Sequence, residues 1–184
     1  VVGNRTADKD GYTAVQLGFD AVELTKLTKP EQGFFKKAGL AQGYKHLVEI
    51  RDPGAELATG DQLTVEAFEV GEDVTVIGTS IGKGFAGVIK RHHFGRGDMT
   101  HGSKQHRGHG TIGAGTTPGR VLRGLKMSGR LGGGRVTQKG LRVLLVDPAR
   151  NILALSGPVP GPDEGLVVIN GMKPFKIKKE DKPS

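Results

Sequence analysis

Residues 82–140 read GKGFAGVIKRHHFGRGDMTHGSKQHRGHGTIGAGTTPGRVLRGLKMSGRLGGGRVTQKG. Twelve lysines and arginines stand here against a single acid, Asp98, with seventeen glycines and five of the chain's six histidines. No apolar period of 3.6 or 2 runs through the stretch, so it offers no face for a helix or a sheet to bury. Glycine loses more conformational entropy on folding than any other residue, and a segment this rich in it needs an external surface to fix its shape. The folded body must be built from what lies on either side.

Upstream, residues 12–19 alternate, with Thr13, Val15, Leu17 and Phe19 on one face, and residues 46–50 form the next expected strand, both half-buried. Between them Thr28-Lys29-Pro30-Glu31 has capping-box spacing with proline in the first turn; Phe34, Phe35 and Ala38 follow, and Gly39 stops a short helix. Leu63-Thr64-Val65-Glu66-Ala67 and Val74-Thr75-Val76-Ile77 read as two more strands around the turn Gly71-Glu72-Asp73, with Glu66, Glu69 and Glu72 on a solvated strand face. Downstream, residues 141–146 and 152–155 flank Asp147-Pro148-Ala149-Arg150-Asn151 as a hairpin, and residues 166–169 add a strand. The chain is therefore expected to be mainly β: a barrel-like body from residues 1–81 and 141–170, a long basic extended insertion at 82–140, and a short basic tail at 171–184 that includes Lys173, Lys176, Lys178 and Lys179.

The whole chain has 184 residues and a formal net charge of +8. Outside residues 82–140 there remain fifteen basic and eighteen acidic residues, so all the excess positive charge sits in the insertion. Hydrophobic residues make up 35% and tryptophan is absent, which predicts a small core. The lack of cysteine excludes disulfides, thiol catalysis and cysteine-based zinc sites. No run approaches the roughly 18 apolar residues of a membrane span, and the opening Val1-Val2-Gly3-Asn4-Arg5 lacks a signal-peptide layout.

Three catalytic or ligand-binding patterns invite tests. Gly82-Lys83-Gly84-Phe85-Ala86-Gly87 matches the dinucleotide fingerprint after a strand, but Val88-Ile89-Lys90-Arg91-His92-His93 shows no helical period and no suitable acid follows. His92, His93, His101, His106 and His109 suggest a metal, yet they stand among cations with no carboxylate but Asp98 to complete a shell. Acid–base or nucleophilic catalysis requires acids beside the histidines, and the segment supplies almost none. The reading is no catalytic residue, no metal and no cofactor; the rivals are a nucleotide- or metal-using enzyme and a free RNA chaperone.

A polyanion is the expected partner. No recognition helix or zinc module for DNA can be drawn, and the glycines oppose a membrane-surface helix. A thin glycine-rich strand pair suits crevices of a folded RNA, where guanidinium and ammonium groups meet clustered phosphates. The expected contacts are Lys83, Lys90, Arg91, Arg96, Lys104, Arg107, Arg120, Arg123, Lys126, Arg130 and Arg135 to phosphate. His92, His93, His101 and His106 are expected to stack or hydrogen-bond, and Ser103, Thr116 and Thr117 to offer hydroxyls to phosphate or ribose. Thr117-Pro118-Gly119-Arg120 has the chemistry of a tight turn at the tip.

The series Gly82-Lys83-Gly84-Phe85-Ala86-Gly87, Met99-Thr100-His101-Gly102-Ser103-Lys104, Thr117-Pro118-Gly119-Arg120-Val121 and Lys126-Met127-Ser128-Gly129-Arg130 resembles the family of large-subunit ribosomal protein number three, in its bacterial and organellar form. The likeness runs from about Gly11 to Ile169 and includes Lys29-Pro30-Glu31 and Val159-Pro160-Gly161. It implies a six-stranded translation-protein-type barrel on large-subunit ribosomal RNA near its 3′ end, among neighbouring ribosomal proteins. It further implies a role early in assembly and an extension toward the peptidyl-transferase centre, with residues 111–119 at the tip. Relatives open with a Gly-Lys-Lys-Val-Gly-Met-Thr-like barrel segment that is not found here, and many bacterial ones carry a methylatable glutamine where this chain has Thr116. The stretch His101-Gly102-Ser103-Lys104-Gln105-His106-Arg107 is most similar to cyanobacterial and chloroplast members, which places the expected location in a ribosome of a chloroplast stroma or a cyanobacterial-type cytoplasm.

Overall fold

The computed structural model describes residues 1–51 and 57–171, so the expected tail lies outside the described residues apart from Gly171. In chain order the elements are β1 (Gly3–Arg5), α1 (Ala7–Asp10), β2 (Ala14–Val22), a 3-10 turn (Leu24–Lys26), α2 (Lys29–Lys37), β3 (Gly43–Arg51), a second 3-10 turn (Val65–Ala67), β4 (Asp73–Thr79), β5 (Phe85–Ala86), α3 (Val88–His92), β6 (Gly129–Arg130), β7 (Arg135–Asp147), β8 (Ile152–Ser156) and β9 (Val167–Gly171). The fold is mainly β. Its sheets are β1-β2-β3, β8-β7-β4-β9 and β5-β6. A barrel closes only when every strand has two partners; β1, β3, β8 and β9 are edges, so the described residues form no closed barrel.

The chain divides into two compact units, the first built from Val1–Thr75, Lys139–Gly157 and the residues from Ile169 to Gly171, the second from Val76–Gln138 and Pro158–Val168. In the first unit the buried apolar residues are Val2, Ala14, Val15, Phe35, Leu57, Val74, Leu141 and Val143. Among apolar side chains the second buries only Val76, Ala86 and Val88, the shortage of core that the composition predicts. Neither unit buries a polar or charged residue among the described ones.

Helix α2 forms as its sequence dictates. The Glu31 carboxylate reaches back to accept from the Thr28 backbone N–H (3.0 Å) and hydroxyl (2.7 Å), and Gly39 ends the helix at φ +74°. Phe35 is buried beneath it, edge-on to Phe34 and Tyr44 with centroids at 5.3 and 6.0 Å. Gly43 opens β3 beneath this cluster, where a Cβ would run into the Leu27 side chain.

One strand expectation fails, and the burial expected at the end of another is not found. The alternating Leu63-Thr64-Val65-Glu66-Ala67 is not a strand: Ala67 and Phe68 N–H groups bond back to Thr64 and Val65 carbonyls, and Val65 N–H donates to Asn151 Oδ1 at 3.1 Å. Those donors are satisfied locally and by a side chain rather than by a ladder; Glu66 sits on a 3-10 turn rather than a strand face. Phe19 shares the face of Val15 and Leu17 on β2 but is 67% exposed, burial on that face falling from Val15 through Leu17 to Phe19. The paired strand β3, in contrast, alternates half-buried and exposed residues throughout.

The outer face of the first sheet carries a polar knot centred on Glu49. Gln16 lies directly across the ladder and donates to Oε1 at 2.7 Å, Tyr12 donates to Oε2 at 2.9 Å, and Arg5 Nε approaches Oε1 at 3.3 Å. The Gln16 and Tyr12 hydrogen bonds hold the Glu49 carboxyl below its ordinary range. A depressed folded pKa gives stability that is present above the unfolded pKa of about 4.3 and disappears as pH falls through the folded value. Glu49→Gln should therefore lower the urea midpoint at pH 7 and leave it nearly unchanged near pH 3. A gap between the two proteins that stays constant across that range would show that the charge contributes nothing.

Candidate nucleic-acid interface

The base of the insertion is a narrow ladder. Ser80 N–H donates to Gly134 O, Gly133 N–H to Ser80 O, Lys83 N–H to Leu131 O and Leu131 N–H to Gly84 O, at 2.8–3.0 Å, and β5 pairs antiparallel with β6. Gly132 sits at φ +71°, and a Cβ there would collide with the Ile81 carbonyl. This ladder changes the reading of the glycine fingerprint. A helix does open after Gly87, contrary to expectation, but α3 is five residues long and is stopped by His93 in the left-handed conformation at φ 59°. Arg91 N–H bonds to Gly87 O, and Lys83 N–H is taken by Leu131, so the motif's backbone serves strand and turn rather than a pyrophosphate.

Three residues singled out as RNA contacts meet the protein itself. Arg91 Nη1 donates to Met127 O at 2.8 Å, and His92 Nε2 lies 3.0 Å from the same oxygen. Together they fasten α3 to the returning arm one residue short of the ladder. His106 Nδ1 likewise lies 2.9 Å from Asp98 O, beside the Gly97 N–H bond to His106 O. Phe94 stands between His92 and His109 with ring centroids at 6.1 and 5.7 Å. Replacing Arg91 and His92 together by Ala should speed amide exchange at Leu131 and Lys83 on the order of tenfold, for the loss of about 1–2 kcal/mol of hydrogen bonding. Unchanged protection there would mean that the ladder needs no clamp.

Beyond these contacts the insertion is open. Residues 110–128 are exposed without exception, among them Thr116, Thr117, Arg120, Arg123 and Lys126. Lys83, Lys90, His93, Arg96, His101, Lys104, Arg107, Arg130 and Arg135 are exposed too, while Arg91, His92, Ser103 and His106 are half-buried. None of the twelve cations from Lys83 to Lys139 has an ion pair among the described residues. The tip turn is wider than the expected Thr117–Arg120 unit. Gly119 N–H closes it onto Gly115 O at 3.1 Å, and both glycines take positive φ, +67° and +96°.

The described residues hold no group of three or more His, Cys, Asp or Glu side chains that would take a metal ion. No helix among them is long and apolar enough to cross a membrane. Clamp and aromatic contacts carried no sequence signal, because their partners lie up to 36 residues apart and two are backbone carbonyls.

A mainly β chain whose excess positive charge lies in one internal segment, without ion pairs among the described residues, fits the class of polyanion-binding proteins. A family model described as ribosomal protein L3 matches residues 35–151. Relatives include the large ribosomal subunit protein uL3 of a Synechococcus strain, 51% identical over 95% of this chain and 82% of its own length. That of Gloeobacter violaceus is 55% identical over 89% and 77%, and uL3c of Emiliania huxleyi 49% over 90% and 80%. The chain belongs to the ribosomal protein L3 family. It is thus a structural constituent of the large ribosomal subunit and not an enzyme, of the kind found in bacterial and chloroplast ribosomes.

Proposed function

We propose that the chain binds large-subunit ribosomal RNA near its 3′ end through residues 82–140, supports early subunit assembly, and extends its tip toward the peptidyl-transferase centre beside neighbouring ribosomal proteins. The observation that carries this reading is the uninterrupted exposure of residues 110–128 together with twelve cations lacking ion pairs among the described residues. A segment without core or counter-charge of its own gains both from a phosphate-lined crevice. Lys83, Lys90, His93, Arg96, His101, Lys104, Arg107, Thr116, Thr117, Arg120, Arg123, Lys126, Arg130 and Arg135 form the contact set. Arg91, His92 and His106 shape the arm that presents it.

The test is binding to a cyanobacterial large-subunit ribosomal RNA transcript with hydroxyl-radical footprinting. Protection near the 3′ end and around the peptidyl-transferase loop is expected. Bulk transfer RNA competing as well as the ribosomal RNA, or protection scattered over the transcript, would defeat the proposal.

A further inference from the structure

The first unit carries a second concentration of positive charge, which its total of sixteen basic and sixteen acidic residues, counted to Ser184, hides. Residues 26–45 hold five lysines (Lys26, Lys29, Lys36, Lys37 and Lys45) against one acid, Glu31, and Glu31 is turned back onto Thr28. Lys45 lies 3.5 Å from Asp20; the other four make no ion pair among the described residues and are exposed. On α2, Lys29, Lys36 and Lys37 stand four, three and four residues from Gly33, the spacings that make helix-surface neighbours. The helix therefore presents a lysine stripe with a bare glycine at its centre, while Phe35 is buried on another side.

Two features of this stripe work against the helix itself. Glycine in a helix interior costs about 0.5–1 kcal/mol relative to alanine. Gly33 needs neither a left-handed backbone nor space, since a Cβ there would meet no atom of the described residues within 4 Å beyond its own helix backbone and chain neighbours. Lys29 lies in the first turn, at the positive end of the helix dipole, where a cation is unfavourable; Lys36 and Lys37, in the last turn, are favoured there. Local choices that oppose folding mark positions held for another purpose. A flat cationic spot flanked by flexible ammonium groups admits a phosphodiester chain close to the helix backbone.

We propose that the Lys29–Gly33–Lys36–Lys37 face of α2 is a second RNA-backbone contact, in the first unit and additional to the insertion. It rests on the reading of the chain as a ribosomal RNA binder. Because the stripe lacks base-reading geometry, it contributes affinity and orientation rather than sequence choice.

The test uses the full chain, the same ribosomal RNA transcript, and a salt titration of binding for wild type, Gly33→Ala, Gly33→Leu and Lys29→Gln/Lys36→Gln. Gly33→Ala should raise the thermal midpoint and yet weaken binding, an opposition that a purely structural glycine would not produce. Gly33→Leu should weaken binding on the order of tenfold, the equivalent of one charge-assisted contact. The double lysine variant should lower the log–log salt slope by about 1.4–1.8, for two lost phosphates. Variants that bind like wild type with the same slope would overturn the α2 contact and leave the insertion's role intact. Failure of the wild type to bind would strike the parent reading instead. Reduced incorporation into subunits with unchanged RNA binding would also overturn the proposal, reassigning the stripe to an acidic protein neighbour.

Discussion

Phe35→Ala should lower the unfolding free energy by about 3–5 kcal/mol, the range for removing a fully buried aromatic ring. The ring is 1% exposed and heads the fully buried side chains by volume. It anchors a helix of only nine residues, too short to persist in water on its own. It also fills the space bounded by Tyr44 and the bare Cα of Gly43. No polar group lies ready to collapse into the void, since the unit buries none among its described residues. Phe34→Ala provides the internal comparison. That ring is 37% exposed, and its loss should cost about 1 kcal/mol. Urea unfolding at neutral pH separates the two, and equal midpoints for both variants would show that α2 is not held by its buried face.

The second large effect concerns binding and leaves the fold alone. Arg120→Ala with Arg123→Ala removes two exposed guanidinium groups that meet no carboxylate among the described residues. Each charge-assisted contact is worth about 1.5–3 kcal/mol, so affinity for large-subunit ribosomal RNA should fall by roughly 10²–10⁴-fold. The salt slope should drop by about 1.4–1.8 if each arginine meets one phosphate. Thermal unfolding should not move. Filter binding across a salt series reads both quantities, and a slope equal to wild type would remove these arginines from the interface.

Much of the fold was legible because it is written locally. Thr28, Pro30, Glu31 and Gly39 announce α2 within twelve residues, and the turn at residues 147–151 announces the β7–β8 hairpin. The misread elements depend on distant partners. Alternation at Leu63, Val65 and Ala67 is equally compatible with a strand, and what decides against it is Asn151, 86 residues away, accepting from Val65. Phe19 has the right period but stands exposed among the described residues, a fact no pattern within β2 contains. The interface was legible as charge, since twelve cations beside one acid stand out in any count. It was not legible as architecture: Arg91, His92 and His106 look like their neighbours in sequence, and only the carbonyls of Met127 and Asp98 distinguish them. Barrel closure, expected from the strand pattern and implied by the family likeness, is not seen among the described strands.

The unbroken exposure of residues 110–128 also decides what cellular quality control can detect. Chaperones and proteases triage chains by how much apolar surface they reveal when they open, and a substitution in this stretch alters no buried contact. A side-chain substitution there, away from the positive-φ glycines, is expected to leave the melting temperature unchanged. The expected defect of such a variant is in RNA binding, which a screen for stability does not read.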